Sequence, residues 1–373
     1  MGKDSKKVKP SDRKDTSFGG RVKAILNKIF IDGLSGMATG LFCTLIIGTI
    51  IVQIGSYIHN DLGTYITLIG KMAQALMGAG IGIGVAVKFG EKPLVVLSSA
   101  VCGMIGANAK LFDAAASLLL EGKAGLSIPG EPLGAFIAAI IGIAIGHLVC
   151  GRTKVDIIVT PFCTIIPGAA VGIFVGPYVS TFMGWLGSLV NAGTEQAPLL
   201  MGIIVSVLMG IFLTLPISSA AIGVVLQLGG IAAGAATVGC CCQMIGFAVI
   251  SYRENKVNGL LAQGLGTSML QMPNIIRNPR VWIPSIVASA ILGPVSTMLL
   301  KMESTPVGSG MGTSGLVGPL QTFATMNADH AAWIVLVEII VMYFILPAAI
   351  CLGLSELMRK LGWIKQGDLK LDV

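Results

Sequence analysis

The residues best equipped for chemistry fall in two stretches that resemble each other. The first holds Lys154-Val155-Asp156, Thr160-Pro161, Thr164 and Val175-Gly176-Pro177; the second holds Lys301-Met302-Glu303, Thr305-Pro306 and Val317-Gly318-Pro319. Each offers a carboxylate, hydroxyls beside a proline and an uncharged, glycine-containing run. No nucleophile–base pair accompanies them, but such groups hydrogen-bond a polar solute well. The second stretch has the richer centre, Gly308-Ser309-Gly310-Met311-Gly312-Thr313-Ser314-Gly315. Its glycines permit close backbone approach, and its hydroxyls both donate and accept. No Gly-Lys-Ser or Gly-Lys-Thr closes it, so it is not a phosphate-cradling P-loop. A flexible Gly-Ser loop is the competing reading, and the match to the first stretch favours a solute site made of Glu303, Thr305, Ser309, Thr313, Ser314, Asp156, Thr160 and Thr164.

The elements that must position these groups are membrane helices. Of 373 residues, 54% are hydrophobic and only 12% charged, with a mean hydropathy of +0.85, well away from a soluble balance of about a quarter charged. The apolar runs are continuous rather than alternating, which selects helices over a β-barrel. Fifty glycines suit close helix–helix contact in lipid.

In that setting each ionisable residue near a span needs a reason, since a charge at the bilayer centre costs at least about 2.5–3.5 kcal/mol. Asp156 and Glu303 stand at equivalent entrances, as solute or proton groups or as interfacial partners of Lys154 and Lys301. Glu338, two turns inside the last span, is a further solute-binding candidate, against a buried structural pair. Lys71 is placed to snorkel, His147 to be structural, and Asp329-His330 to cap a helix. Gln53, Gln74, Gln227, Gln243, Gln263 and Gln271 are intramembrane amides, suited to interhelical hydrogen bonds or to lining a polar path.

The formal charge of +7 is concentrated: nine of the 25 Lys and Arg lie in the first 28 residues. Beside a span this marks the cytoplasmic side and a solvated tail that touches anionic lipid, rather than a nucleic-acid-binding domain. A long basic stretch without a small-residue cleavage site is not a signal peptide. The eight cysteines sit in or at the edge of apolar runs and read as small packing residues. Cys240, Cys241 and Cys242 point about 100° apart on a helix and cannot converge on one ion; no metal or other cofactor is expected.

Taken in order, the chain divides into a basic tail at 1–28, a first membrane repeat at 29–196, a second at 197–356 and a basic tail at 357–373. Spans are expected at Gly36–Ile58, Tyr65–Lys88, Pro93–Ala109 and Leu133–Cys150, with an amphipathic piece at Leu111–Leu120. Val155–Pro177 reads as a re-entrant hairpin because Pro161, Pro167 and Pro177 interrupt it; Tyr178–Val190 is a fifth crossing. From Pro198 the pattern restarts, with Leu199–Leu228, Gly229–Ser251, Gly259–Met272 and Ile283–Leu300 as crossings, Lys301–Pro319 as a second hairpin and Ala331–Leu354 as the last crossing. The expected fold is an all-α polytopic membrane protein of about ten transmembrane helices in two inverted five-helix repeats, each with a re-entrant hairpin. Both termini would be cytoplasmic, with Arg253 and Lys256 outside. Interrupted helices in inverted halves are the plan of secondary transporters, whose solute sites lie near the midplane. The expectation is alternating-access transport of a small polar solute, a sugar or an organic acid; the alternative is a non-transporting sensor of such a solute.

The run Phe30-Ile-Asp-Gly-Leu-Ser-Gly-Met-Ala-Thr-Gly-Leu-Phe42, the stretch Met302–Pro319 and the overall length resemble the IIC-type membrane component of bacterial phosphotransferase sugar systems, in the perfringolysin regulator-like branch. The resemblance covers essentially the whole membrane part. It implies a dimeric, multi-pass permease of the bacterial plasma membrane that is not itself an enzyme and works with a separate IIB protein.

Overall fold

The computed structural model describes residues 25–26, 28–58, 60–109, 131–194, 197–327 and 330–371; the tail before 25, the amphipathic piece expected at Leu111–Leu120 and Asp329 lie outside them. The first half contains α1 (Lys28–Ser56), α2 (Asp61–Ala75), α3 (Met77–Lys88), α4 (Pro93–Ala107), α5 (Pro132–Val149) and α6 (Asp156–Thr194). The second contains α7 (Pro198–Thr214), α8 (Ser219–Val225), α9 (Gly230–Ile250), α10 (Tyr252–Leu261), α11 (Met272–Arg277), α12 (Pro279–Leu300), α13 (Pro306–Ser309), α14 (Val317–Met326) and α15 (Ala332–Lys360). Among the described residues six helices are long and apolar enough to cross a membrane, or seven if α2 and α3, bent by 51°, count as one. That is fewer than the ten crossings expected; α4 and α7 are apolar but shorter.

Glycine sets the helix spacing. A Cβ on Gly36 or Gly40 would collide with the backbone of Gly84 or Gly80, so α1 and α3 touch main chain to main chain. Gly106 and Gly134 do the same for α4 and α5, as do Gly202 and Gly293 for α7 and α12. In lipid, where apolar surface gains little by leaving its surroundings, such contact and buried hydroxyls supply the cohesion. Ser206 Oγ donates to the Ser289 carbonyl at 2.8 Å, fastening α7 to α12.

One end of the bundle collects the basic turns. Lys28 lies over the Phe89 ring at 4.7 Å, and His147 pairs with Glu91 at 2.9 Å. Residues 28–33 contact 272–277, Arg359 pairs with Glu254 at 2.9 Å, and Asn278 Nδ2 donates to the Trp363 carbonyl at 3.1 Å. The start of α1, the α9–α10 turn, the α11–α12 turn and the segment after α15 therefore share one end. This corrects the expected placement of Arg253 and Lys256 at the opposite end from the C-terminal segment. Gly259–Met272 is not a crossing: the chain leaves the basic end in α10, turns near Gly266-Thr267 and is back by Arg277, being too short to span at about 20 residues.

A second segment does the converse. Lys301 ends α12 in the left-handed region (φ 46°), the Ser304 amide bonds the Gly230 carbonyl at 3.3 Å, and the chain passes through Gly312 (φ 51°) and Gly315 (φ 53°) into α14 and then α15. It leaves and rejoins the end opposite the basic one. The first of the two expected hairpins, Val155–Pro177, does not form: α6 runs unbroken for 39 residues through all three prolines. Polar groups on and beside the helix add further bonds to its carbonyls. Thr164 Oγ1 donates to the Thr160 carbonyl at 2.7 Å, Thr181 Oγ1 to the Pro177 carbonyl at 3.0 Å, and the Cys102 thiol of α4 to the Thr164 carbonyl at 3.3 Å.

Candidate functional site

A cavity of about 430 Å³ opens where the two halves meet. Its first-half wall is α1 (Leu41, Leu45, Thr49), Gln74 of α2 and Pro132 at the start of α5. Its second-half wall includes three interrupted places: Ile217–Ala220, where the chain passes from the loop after α7 into α8, the turn Gly266–Thr267, and the segment through Gly310, Met311 and Ser314. Broken helices expose main-chain groups that a regular helix would consume, and a membrane tolerates them only against protein or a polar cavity.

The polar inventory is small and uncharged. Gln74 Nε2 donates to Thr49 Oγ1 at 3.0 Å, and that hydroxyl donates onward to the Leu45 carbonyl at 2.7 Å. Ser219 Oγ donates to the Gly310 carbonyl at 2.7 Å, tying the loop after α7 to the glycine-rich segment. Among the described residues Ser314 Oγ is buried without a hydrogen-bond partner, and its residue lines the cavity. A buried hydroxyl left unpaired costs about 1–3 kcal/mol, and this one is free to pair with an oxygen or a donor that enters the cavity. Among the described residues no Asp, Glu, Lys, Arg or His lines the space, which suits a neutral polar molecule.

Of the nine solute-site residues read from the sequence, Ser314 alone lines this cavity, together with Gln74 from the amides expected on a polar path. Thr305, Ser309 and Thr313 build the segment that carries it. Thr305 Oγ1 caps α13 by accepting from the Gly308 amide at 3.2 Å and donates to Gln321 Oε1 at 3.1 Å. Ser309 Oγ turns back to the Pro306 carbonyl at 2.7 Å, and Thr313 Oγ1 points to Met244 Sδ at 3.5 Å. Glu303 is exposed and Glu338 half-buried, and neither lines the cavity. Asp156, Thr160 and Thr164 lie along the start of α6, where Asp156 accepts from the Gly151 amide at 2.8 Å and from the Thr160 hydroxyl. They are not brought together with the second-half candidates.

The sequence carries a signal for the second-half wall. Gly264-Leu265-Gly266-Thr267-Ser268 and Gly310-Met311-Gly312-Thr313-Ser314 are two copies of Gly-x-Gly-Thr-Ser. The structure puts them at the turning points of the two oppositely directed segments, and residues 262–266 contact 314–316. Ser268 is engaged, its Oγ lying 2.8 Å from Thr214 Oγ1, whereas its counterpart Ser314 is unpaired. The loop Ile217–Ala220 is signalled by Pro216 inside an apolar run, and Gln74 is among the amides expected on a polar path.

An all-helical bundle of membrane-length helices, with a polar-lined cavity at the meeting of its halves, defines a polytopic integral membrane protein. Residues 31–371 match the profile of the family described as Phosphotransferase system, EIIC, and the chain belongs to that family, the membrane permease component that operates with the other parts of a sugar phosphotransferase system. No curated protein matches the chain.

Proposed function

We propose that this chain carries a small neutral polar solute, a sugar, across the bacterial plasma membrane by alternating access around the two Gly-x-Gly-Thr-Ser turns. The observation that carries the reading is the meeting of those turns, approached from opposite ends of the bundle, at an uncharged cavity with an unpaired serine hydroxyl. In this reading both turns are tips of re-entrant hairpins, and the halves are inverted, since α1 starts at the basic end and α7 at the other. Rocking of one half against the other would expose the cavity alternately. The uncharged lining favours a sugar over an organic acid. The basic end faces the cytoplasm with both termini, a separate IIB protein docks there, and the working unit is a homodimer. Glu303, Glu338, Asp156, Thr160 and Thr164 serve the hairpin entrance and helix framework in this proposal rather than the solute itself.

Reconstituted proteoliposomes offered a panel of labelled neutral sugars and organic acids test it. Saturable uptake of a neutral sugar supports the reading; saturable binding with no translocation removes the transport step. The latter result would favour the second reading, a solute-sensing regulator of the perfringolysin regulator-like branch, for which the docked C-terminal segment is the specific support.

A further inference from the structure

The basic tail expected after residue 356 is not a loose appendage. Ile364 and Leu369 are buried and Leu371 nearly so. The segment is held by its main chain: Asn255 Nδ2 donates to the Leu369 carbonyl at 2.8 Å while Asn255 Oδ1 accepts from the Leu371 amide at 2.8 Å. Gln271 Nε2 donates to the same Leu369 carbonyl at 3.0 Å, and Asn274 Nδ2 donates to the Lys370 carbonyl at 2.9 Å. Side-chain amides reading consecutive peptide groups, with apolar side chains sunk between them, make a seat for a peptide segment folded in turns, its Asp368 and Lys370 amides bonding back to the Lys365 and Gly367 carbonyls.

Each of these amides belongs to the segment that turns at Gly266-Thr267. The amides are also chained to one another. Asn274 Nδ2 donates to Gln271 Oε1 at 2.8 Å, Gln271 Nε2 to Gln263 Oε1 at 2.9 Å, and Gln263 Nε2 to Ser251 Oγ at 2.8 Å. This relay crosses both arms of the segment directly beneath its turn. Buried amide chains of this kind are rigid when complete, and lose their alignment when one member loses its partner. Lys256 takes a positive φ (53°) that breaks the helical course of α10, on the same segment.

We propose that residues 364–371 are a latch, a peptide ligand bound in cis, whose seating fixes the Gly266-Thr267 turn where it walls the cavity. The proposal rests on the reading of that cavity as the solute site. Release of the latch frees one wall of the cavity, and so couples solute binding to the seating of residues 364–371.

The test uses the chain truncated after Trp363 and a fluorescent peptide of residues 363–373. The peptide is expected to bind the truncated chain and not the full-length one, and Asn255→Ala with Asn274→Ala should weaken that binding by about tenfold or more. Hydrogen exchange at 264–271 should rise on truncation and return on peptide addition. Peptide binding without any change at 264–271, or no binding at all, overturns the latch. If the truncated chain does not fold, Leu369→Glu in the full chain replaces it: exchange should rise at 364–371 and 264–271 together, and a rise at 364–371 alone overturns the proposal. These arms need no solute, so failure of the latch and failure of the transport reading are separately visible.

Discussion

The Gln74 amide donates to the Thr49 hydroxyl at 3.0 Å, joining α2 to α1 at the edge of the cavity, close to where Gly48 and Gly70 bring the two helices into backbone contact. The glycine contact fixes the spacing, and the hydrogen bond sets the orientation of two polar side chains. Thr49→Val removes the acceptor without changing the shape. Solute affinity should fall by about fivefold, the value of one net hydrogen bond near 1 kcal/mol. Equilibrium binding in detergent checks this.

Ser314→Ala should act with opposite signs on stability and binding. The hydroxyl is unpaired in the structure, so its removal leaves the empty protein as stable as before or more stable, by up to about 1 kcal/mol, while solute binding weakens. Thermal unfolding with and without solute separates the two effects. A loss of stability in the empty protein would mean that Ser314 has an internal partner.

Gly40→Val should prevent correct assembly of the first half, since even a Cβ there would meet the Gly80 carbonyl, which is backbone and cannot turn aside. The cost exceeds about 2 kcal/mol by the usual scale of overpacking. Gly353→Ala is the control: nothing lies within 4 Å of its added Cβ, and replacing a glycine inside a helix is neutral or gains up to about 1 kcal/mol. Monodispersity and thermal midpoints of the two variants report the contrast.

Arg359→Leu should destabilise the basic end by about 3 kcal/mol, because Glu254, whose side chain is only 4% exposed, would lose its charged partner. Adding Glu254→Gln should recover much of this loss. A double-mutant cycle on chemical unfolding measures the coupling.

Glu303→Gln should leave solute affinity within about twofold, as an exposed residue outside the cavity is expected to. A larger loss in the same binding assay would bring the carboxylate into the solute site.

The membrane class is legible in the sequence because continuous apolar runs of about 20 residues would be insoluble as water-exposed helices and fit the thickness of a bilayer. The course of α6 is not, since Pro161, Pro167 and Pro177 carry the same breaking signal in water as in lipid, although the helix runs through all three. Gly259–Met272 reads as a crossing because apolarity does not say whether a residue faces lipid or protein; Gln263, Gln271 and Asn274, three amides with buried main-chain partners, are the contrary signal. Ser314 stands out through its glycine-rich context. The facing Gly266-Thr267 turn needs the second Gly-x-Gly-Thr-Ser copy, and Thr49 needs the three-dimensional approach of α1 to the second half.

Helix α6 has 39 residues, about 58 Å at 1.5 Å per residue, against roughly 30 Å of hydrocarbon. Ordinary tilts of up to about 40° do not absorb that excess. The helix must lean further, bend at its prolines or stand proud of the lipid, with exposed Trp185, stacked on Phe182, as its natural interfacial anchor. Hydrophobic mismatch therefore acts on this helix more than on any other described here. Because α6 packs along α4 and α5, and α5 begins at Pro132 in the cavity wall, the helix most mismatched to the bilayer is also one packed directly against the wall of the site.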